Sequence, residues 1–503
     1  MSSNANLYAA YANHFPADRT QPLLTTPAGD TLSYGEADQE SARIANYLTA
    51  SGAAPGDRVT VQADKSIRCL CLYLACLRAG LVYHPLNTAY QSGELAYFLE
   101  NAEPAIVVCS SEARAMIKPL LPETTKALLT MDSDGSGSLA QASASCSDQQ
   151  AIVARSGEDL AALLYSSGTT GRPKGIMLTH SNLASNNETL VDAWGFSADD
   201  CLLHALPIFH VHGLFVGLGC VLMSGASMVW LDKFDANTVL AALPDCTVMM
   251  GVPTYYTRLL AHPDFNRECC STIRLFISGS APLLAETFVE FEQRTGHAIL
   301  ERYGMTETGM NTSNPLSGER RAGTVGFPLP GVEARVVDES GEPLPAGETG
   351  DLQVRGPNVF PGYWRMPEKT VEDFSADGFF NTGDVAVIDT DGYVSIVGRA
   401  KDMIISGGLN IYPKEIELVL DDMPGVSESA VIGIPHPDFG ESVVAVLVAA
   451  SDAAPDSAAV ISHCREQLAN FKVPKQVHYI DSLPRNAMGK VQKNLLRERY
   501  AAD

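Results

Sequence analysis

Four aliphatic hydroxyls, three glycines, an arginine and a lysine crowd the eleven residues Tyr165-Ser166-Ser167-Gly168-Thr169-Thr170-Gly171-Arg172-Pro173-Lys174-Gly175. The run directly follows the apolar segment Leu160-Ala161-Ala162-Leu163-Leu164. A strand that ends this way can wrap a polyphosphate. Glycines let the backbone approach the oxygens, and hydroxyls, amides and cations donate to their charge. The spacing is not that of a P-loop, in which Ser or Thr follows the lysine and reaches magnesium, because here Gly175 follows Lys174. A flexible Ser/Gly linker is the competing reading. The apolar lead-in and the Pro-Lys-Gly exit argue against it.

Further tracts follow in order. Ser278-Gly279-Ser280-Ala281-Pro282 comes after the apolar Leu275-Phe276-Ile277, and Tyr303-Gly304-Met305-Thr306-Glu307 after Ala298-Ile299-Leu300-Glu301-Arg302. Asn381-Thr382-Gly383-Asp384, Gly398-Arg399 and Leu483-Pro484-Arg485-Asn486-Ala487-Met488-Gly489-Lys490-Val491 complete the set. Together they resemble the acyl-adenylate-forming superfamily, which includes acyl-CoA synthetases, luciferases and peptide-synthetase adenylation domains. The resemblance runs from about residue 30 to residue 495.

The resemblance implies ATP, Mg²⁺ and CoA. Ser166, Ser167, Gly168, Thr169, Thr170, Gly171 and Lys174 would hold the phosphates. Ser278, Gly279 and Ser280 would form the adenine-side loop, beside Glu301, Tyr303, Gly304 and Met305. Thr306 would bond phosphate oxygens, with Glu307 and Thr169 on magnesium. A hard divalent ion bound to ATP needs about one or two protein carboxylates. Asp384 and Arg399 would clamp the ribose, and Lys401 would be the hinge for a domain rotation. Lys490 would be the mobile cation of adenylation, in a catalytic set with Thr170, Glu307 and His210. Gly407 and Gly408 would wall the pantetheine tunnel after rotation. The thiol of CoA is then the nucleophile, which suits a chain without a Gly-x-Ser-x-Gly elbow.

His204, His210 and His212 lack acidic or cysteine partners at ligand spacing, which argues against a metal centre. The resemblance places His210 beside the reacting carboxylate and gives His212 a structural role. Arg302 stands where most relatives carry a small residue, and Arg258 lies in the tract that lines the acyl pocket. With His210, Ser278 and Met305 these residues form the expected acid site. Two arginines at its base would bind a second carboxylate in bidentate fashion. The arrangement resembles malonyl-CoA synthetases, as do Leu86-Asn87-Thr88-Ala89-Tyr90 and Met310-Asn311-Thr312-Ser313. The implied reaction joins malonate to CoA through malonyl-AMP, releasing AMP and pyrophosphate. Methylmalonate or another short acid is the alternative. An adenylate-binding or carrier-loading protein without a CoA step is the alternative of another class.

A chain of 503 residues exceeds one core. Apolar residues make up 46% of it, and the net charge is −24, which disfavours nucleic acid as a partner. Any phosphate must therefore be held by a local cation cluster. The expected partners are a small dicarboxylate, ATP and CoA, with no membrane. A lysine acetyltransferase or deacetylase acting on Lys490 would be a further partner, since acetylation removes the charge. Eleven scattered cysteines without a CxxC pair and an N-terminus without a signal pattern predict a cytoplasmic protein.

The fold class expected is α/β. Residues 1–398 would hold two similar wound α/β subdomains, with a break near residue 155, and a small β-rich subdomain. Residues 399–503 would form a small mobile α+β domain hinged at Lys401. A buried helix is predicted up to Gly80, a strand over 105–109 and a surface loop over 132–148.

Overall fold

In the computed structural model, the first apolar strands assemble a six-stranded sheet. Its order is Ala127–Thr130, Ile106–Cys109, Arg58–Gln62, Val82–Pro85, Leu160–Tyr165 and Gly175–Thr179. Neighbours are parallel except for the last pair, which is antiparallel, with Tyr165 opposite Gly175. The phosphate-loop tract is therefore the connection of a hairpin. The structure describes residues 4–166, 173–406, 409–436, 440–450, 454–468, 470–486 and 489–501.

A nine-stranded sheet runs Phe327–Pro328, Gly309–Ser313, Leu300–Met305, Leu275–Ser278, Val248–Gly251, Cys201–His204, Ser227–Trp230, Pro22–Thr25 and Thr31–Ser33. Its six strands from Leu300–Met305 to Pro22–Thr25 are parallel. Helices cover these strands. Ile67–Arg78 is capped by Ser66 and buried along most of its length, as its near-continuous apolar pattern requires. His180–Trp194 starts at a Thr179/Asn182 capping box and stops at left-handed Gly195.

The expected break near residue 155 is corrected. Leu160–Tyr165 and Gly175–Thr179 finish the first sheet, and the N-terminal hairpin Pro22–Ser33 edges the second. Pairing partners are chosen by which sheet edge is free, and no local periodicity records that. The segment 132–148 is not wholly loop, since it holds the short helix Ser138–Ser143.

Beyond them, Glu333–Val337, Thr349–Arg355, Phe380–Ile388 and Val394–Arg399 form an antiparallel four-stranded sheet. The C-terminal domain has its own five-stranded sheet, built on the long pair Val426–His436 and Gly440–Ala449. Helices Pro413–Asp421 and Ser457–Gln467 supply Ile416, Leu420, Val460 and Cys464 to a separate core. The fold is thus mixed α/β, with a large N-terminal domain of several sheets and a small C-terminal one. No helix among the described residues is long and apolar enough to cross a membrane.

The motif residues gather where the parallel strands end, the usual place for ligands in such sheets. The turn carrying Glu307 is pinned from two sides. Asn186 exchanges two 3.0 Å hydrogen bonds with the Met310 backbone. Asn358 donates to Thr308 O (2.7 Å), Met310 O (3.3 Å) and Asn311 Oδ1 (3.1 Å). Phe360 N bonds Glu307 O at 2.8 Å. Removing the Asn358 amide strands buried acceptors, which costs about 1–3 kcal/mol. Asn358→Ala should therefore lower the unfolding free energy by about that amount in denaturant titrations.

Candidate active site

Arg302 sits in the middle of the strand Leu300–Met305 and is only 3% exposed. It makes no hydrogen bond or ion pair among the described residues, and its buried Nε and Nη2 are both left without a partner there. Burial lowers its pKa to about 10, with Tyr256 and Glu301 acting in the other direction, so it stays charged at neutral pH. Room for the guanidinium comes from Gly279, where a Cβ would lie 2.5 Å from Arg302 Cζ. Two more buried polar atoms without partners stand nearby in the same strand-end region, Ser278 Oγ and His212 Nε2.

The histidines here are neutral. His210 is pushed down to about 3 by burial, then by Lys490 and Arg302. His212 is held well below its ordinary value by burial and Arg302. His210 Nδ1 accepts from His212 N at 3.2 Å, which assigns its proton to Nε2. His212 Nδ1 lies 3.2 Å from Ser280 Oγ. Ser280 has φ +72°, a left-handed conformation that costs a non-glycine residue energy and is found mainly at functional turns. Lys65 steadies the start of this tract. Its Nζ donates to His204 Nδ1 (2.8 Å), His204 O (2.8 Å) and Leu231 O (2.6 Å).

A second polar cluster is ordered around Asp384. Its carboxylate takes the Tyr303 hydroxyl at 2.5 Å and Arg399 Nε at 2.9 Å, while Arg399 Nη1 donates to Thr382 O at 3.1 Å. Lys174 Nζ reaches Tyr363 Oη (3.1 Å) and Asp373 Oδ2 (3.4 Å), and stacks over the Tyr363 ring. Glu307 is buried and in no ion pair among the described residues. Burial raises its pKa, against the pull of Arg399, Lys174 and Lys490. Lys490 keeps exposed surface along its side chain, yet burial around its amine lowers its pKa, with Arg399 adding to the effect and Asp384 and Glu307 opposing it. Three cations thus converge on two carboxylates, and the C-terminal domain supplies one of the three.

Of the expected residues, the structure brings together His210, Ser278, Gly279, Ser280, Arg302, Tyr303, Glu307, Asp384, Arg399 and Lys490. Gly304, Met305 and Thr306 line the same strand end, partly buried. Ser166 donates its backbone N–H to Lys174 O at 3.1 Å, and its buried Oγ has no partner among the described residues. Ser167, Gly168, Thr169, Thr170, Gly171, Gly407 and Gly408 lie outside the described residues. Glu301 sits behind the Ser278–Pro282 loop, where its Oε1 accepts from Leu283 N at 3.1 Å. Lys401 is exposed in the short turn Ala400–Asp402 that joins the two domains.

Arg258 is the correction. It is exposed on the last turn of the helix Pro253–Leu260 and makes no hydrogen bond or ion pair. The helix buries Tyr256, Leu259 and Leu260 and turns position 258 to solvent, so the arginines are not a buried pair. Tyr363 and Asp373 escaped the sequence reading because they lie about 190 residues beyond Lys174, with no local pattern. His212 was read as structural, but its ring reaches the loop of Ser280.

Residues 9–364 match the AMP-binding enzyme family, and residues 415–490 match the AMP-binding enzyme C-terminal domain. The chain belongs to the AMP-binding enzyme family. It is similar to the ATP-bound crystal structure of MatB from Rhodopseudomonas palustris, with TM-score 0.97, 55% identity and 99% of each chain covered. It is 37% identical to feruloyl-CoA synthase of Amycolatopsis over 94% of each chain. It is 32% identical to malonate–CoA ligase of Arabidopsis thaliana, covering 93% of this chain and 85% of that one.

Two tests follow. Gly279→Ala should push the guanidinium aside and lower kcat/KM for the acid by about 10- to 100-fold in steady-state assays. Glu301 is raised from 4.5 to about 8, by burial above all. The folded state then holds that proton more tightly than the unfolded chain. Its contribution to stability is fully present below pH 4.5 and falls as pH rises toward 8. Thermal unfolding should therefore favour Glu301→Gln over the parent more at pH 8 than at pH 5.

Proposed function

We propose that the protein is an AMP-forming malonate–CoA ligase. The observation that carries this reading is the charged, buried and unpartnered Arg302 in a gap kept open by Gly279. Leaving such a charge without a partner costs about 2–5 kcal/mol, and a second carboxylate on the substrate is the partner of matching shape. The likeness to relatives whose names include malonate–CoA ligase supports the reading.

The acid enters with its distal carboxylate on Arg302 and its reacting carboxylate beside neutral His210, whose Nε2–H orients it. The nucleotide lies along Tyr303, Asp384 and Arg399. Lys490 and Lys174 bring positive charge to the phosphates, and Lys490 stabilises charge building on the oxygens as carboxylate meets the α-phosphorus. Malonyl-AMP and pyrophosphate result. Glu307 fits a divalent cation, being a buried carboxylate free of ion pairs amid phosphate-binding cations. Mg²⁺ there would neutralise phosphate oxygens. The C-terminal domain then turns at Lys401, and the CoA thiol displaces AMP. Acetylation of Lys490 draws no support from the relatives and stays outside this proposal.

The reading is tested by AMP release, with and without CoA, from acetate, butyrate, malonate, methylmalonate, sulfoacetate, succinate, benzoate and ferulate. Turnover that requires CoA and favours malonate, followed by methylmalonate, is expected. A preference for ferulate or a monocarboxylate would remove the dicarboxylate assignment, and equal AMP release without CoA would remove the thioester step. Lys490→Ala should lower pyrophosphate exchange by about 10²–10³-fold, the usual loss for one preorganised donor.

A further inference from the structure

Lys490 reaches across from the C-terminal domain, so something in that domain must hold its backbone. The residues on either side of it form a narrow hairpin. Gln492 N donates to Pro484 O (2.8 Å), Arg485 pairs with Val491 in an antiparallel bridge, and Asn486 N donates to Lys490 O (2.9 Å). Lys490 N returns a 3.0 Å bond to Asn486 Oδ1, and Gly489 turns at φ +75°. Leu483 and Val491 pack this hairpin on the domain's sheet, and Arg485 adds a polar tie. Arg485 Nη1 donates to Gly489 O at 2.6 Å, and Nη2 pairs with Glu428 Oε1 at 2.9 Å. Gly489 O belongs to the peptide that leads into Lys490, and Glu428 lies on the long strand Val426–His436 at the edge of that sheet.

We infer that Arg485 and Glu428 are positioning residues for Lys490: the guanidinium fixes the Gly489–Lys490 peptide to the sheet, and so sets where the Lys490 amine arrives. Neither residue touches substrate. A single side chain bridging a carboxylate and a backbone carbonyl transmits the orientation of the sheet to the hairpin, and Lys490 alone reads it. Misplacing a catalytic group by about 1 Å can cost about 10²-fold in rate. The contact should matter only in the half-reaction that uses Lys490. Thioester formation, with the domain turned and the hairpin out of the site, should not depend on it. The inference rests on the proposed role of Lys490 in adenylation.

The test uses the full chain and whichever acid the parent enzyme turns over in the panel above. The variants are Arg485→Ala, Arg485→Lys, Glu428→Gln and the reference Lys490→Ala. Acid-dependent ATP–pyrophosphate exchange reads the first half-reaction, and thioester formation from supplied acyl-AMP and CoA reads the second. Arg485→Ala should lose about 10- to 100-fold in exchange and stay within about twofold of the parent in thioester formation. Glu428→Gln should lose several-fold in exchange alone. Arg485→Lys should recover part of the loss, because an ammonium can still bond a carboxylate or a carbonyl. Equal losses in both half-reactions, or unchanged exchange with Arg485→Ala, would overturn the inference. Unchanged exchange with Lys490→Ala would instead overturn the role of Lys490 itself.

Discussion

A guanidinium kept charged inside the protein is the constraint from which the rest of the acid site follows. Moving an ion of this kind out of water costs several kcal/mol even after the protein relaxes, and among the described residues Arg302 has no ion pair or hydrogen bond to offset it, only the pull of Tyr256 and Glu301. Its surroundings are arranged to tolerate that charge. Gly279 gives up a side chain so that the group fits. His210 and His212 remain unprotonated beside it, which avoids adding like charges. Glu301, the next residue along the strand, faces the other way and holds the backbone of Leu283. Under the proposed function, the ligand that completes this arrangement brings an anionic group of its own, and a substrate with an apolar tail would leave the charge stranded. Selectivity then arises from an unpaired donor more than from pocket volume, and unpaired donors discriminate strongly.

The nucleotide side follows a different logic. A chain of net charge −24 does not draw polyphosphates by its overall field. Attraction has to be local, and three separate parts of the chain supply it. Lys174 comes from the first-sheet hairpin, Arg399 from the small antiparallel sheet and Lys490 from the C-terminal domain. Two of these cations are held by acidic groups before any ligand is present: Arg399 by Asp384, and Lys174 by Asp373. Lys490 is positioned through the hairpin that carries it. On the proposed mechanism, turning the C-terminal domain would remove one cation of the three and so couple domain orientation to the half-reaction in progress.

Much of this was legible in the sequence because the chemistry is written in contiguous tracts. Glycine-rich turns at strand ends, the Tyr303–Glu307 run and the Arg485–Lys490 frame each carry their spacing locally, and the buried helix before Gly80 and the strand over 105–109 form close to their expected bounds. What failed was non-local. Nothing near Leu160 marks which sheet edge it will join, and nothing near Pro22 says that its hairpin will cross to the other sheet. Arg258 misled because its tract does line the site through its first turn, where Thr254 lies 3.4 Å from the position of a Gly489 Cβ. Four residues later the helix directs position 258 to solvent. Partners such as Asp373 for Lys174 and Glu428 for Arg485 join residues far apart in the chain, and a single sequence offers no means of pairing them.

The central claim is that Arg302 selects a second anion on the acid. The most direct measurement is the ratio of kcat/KM for malonate to that for butyrate, in the parent and in Arg302→Met, where a side chain of similar length lacks the charge. The account predicts a large ratio in the parent and a fall of at least about 30-fold in the variant, since 2 kcal/mol is the lower bound for an unpaired buried charge. A ratio that Arg302→Met leaves unchanged, in a folded protein that still forms AMP, would contradict it.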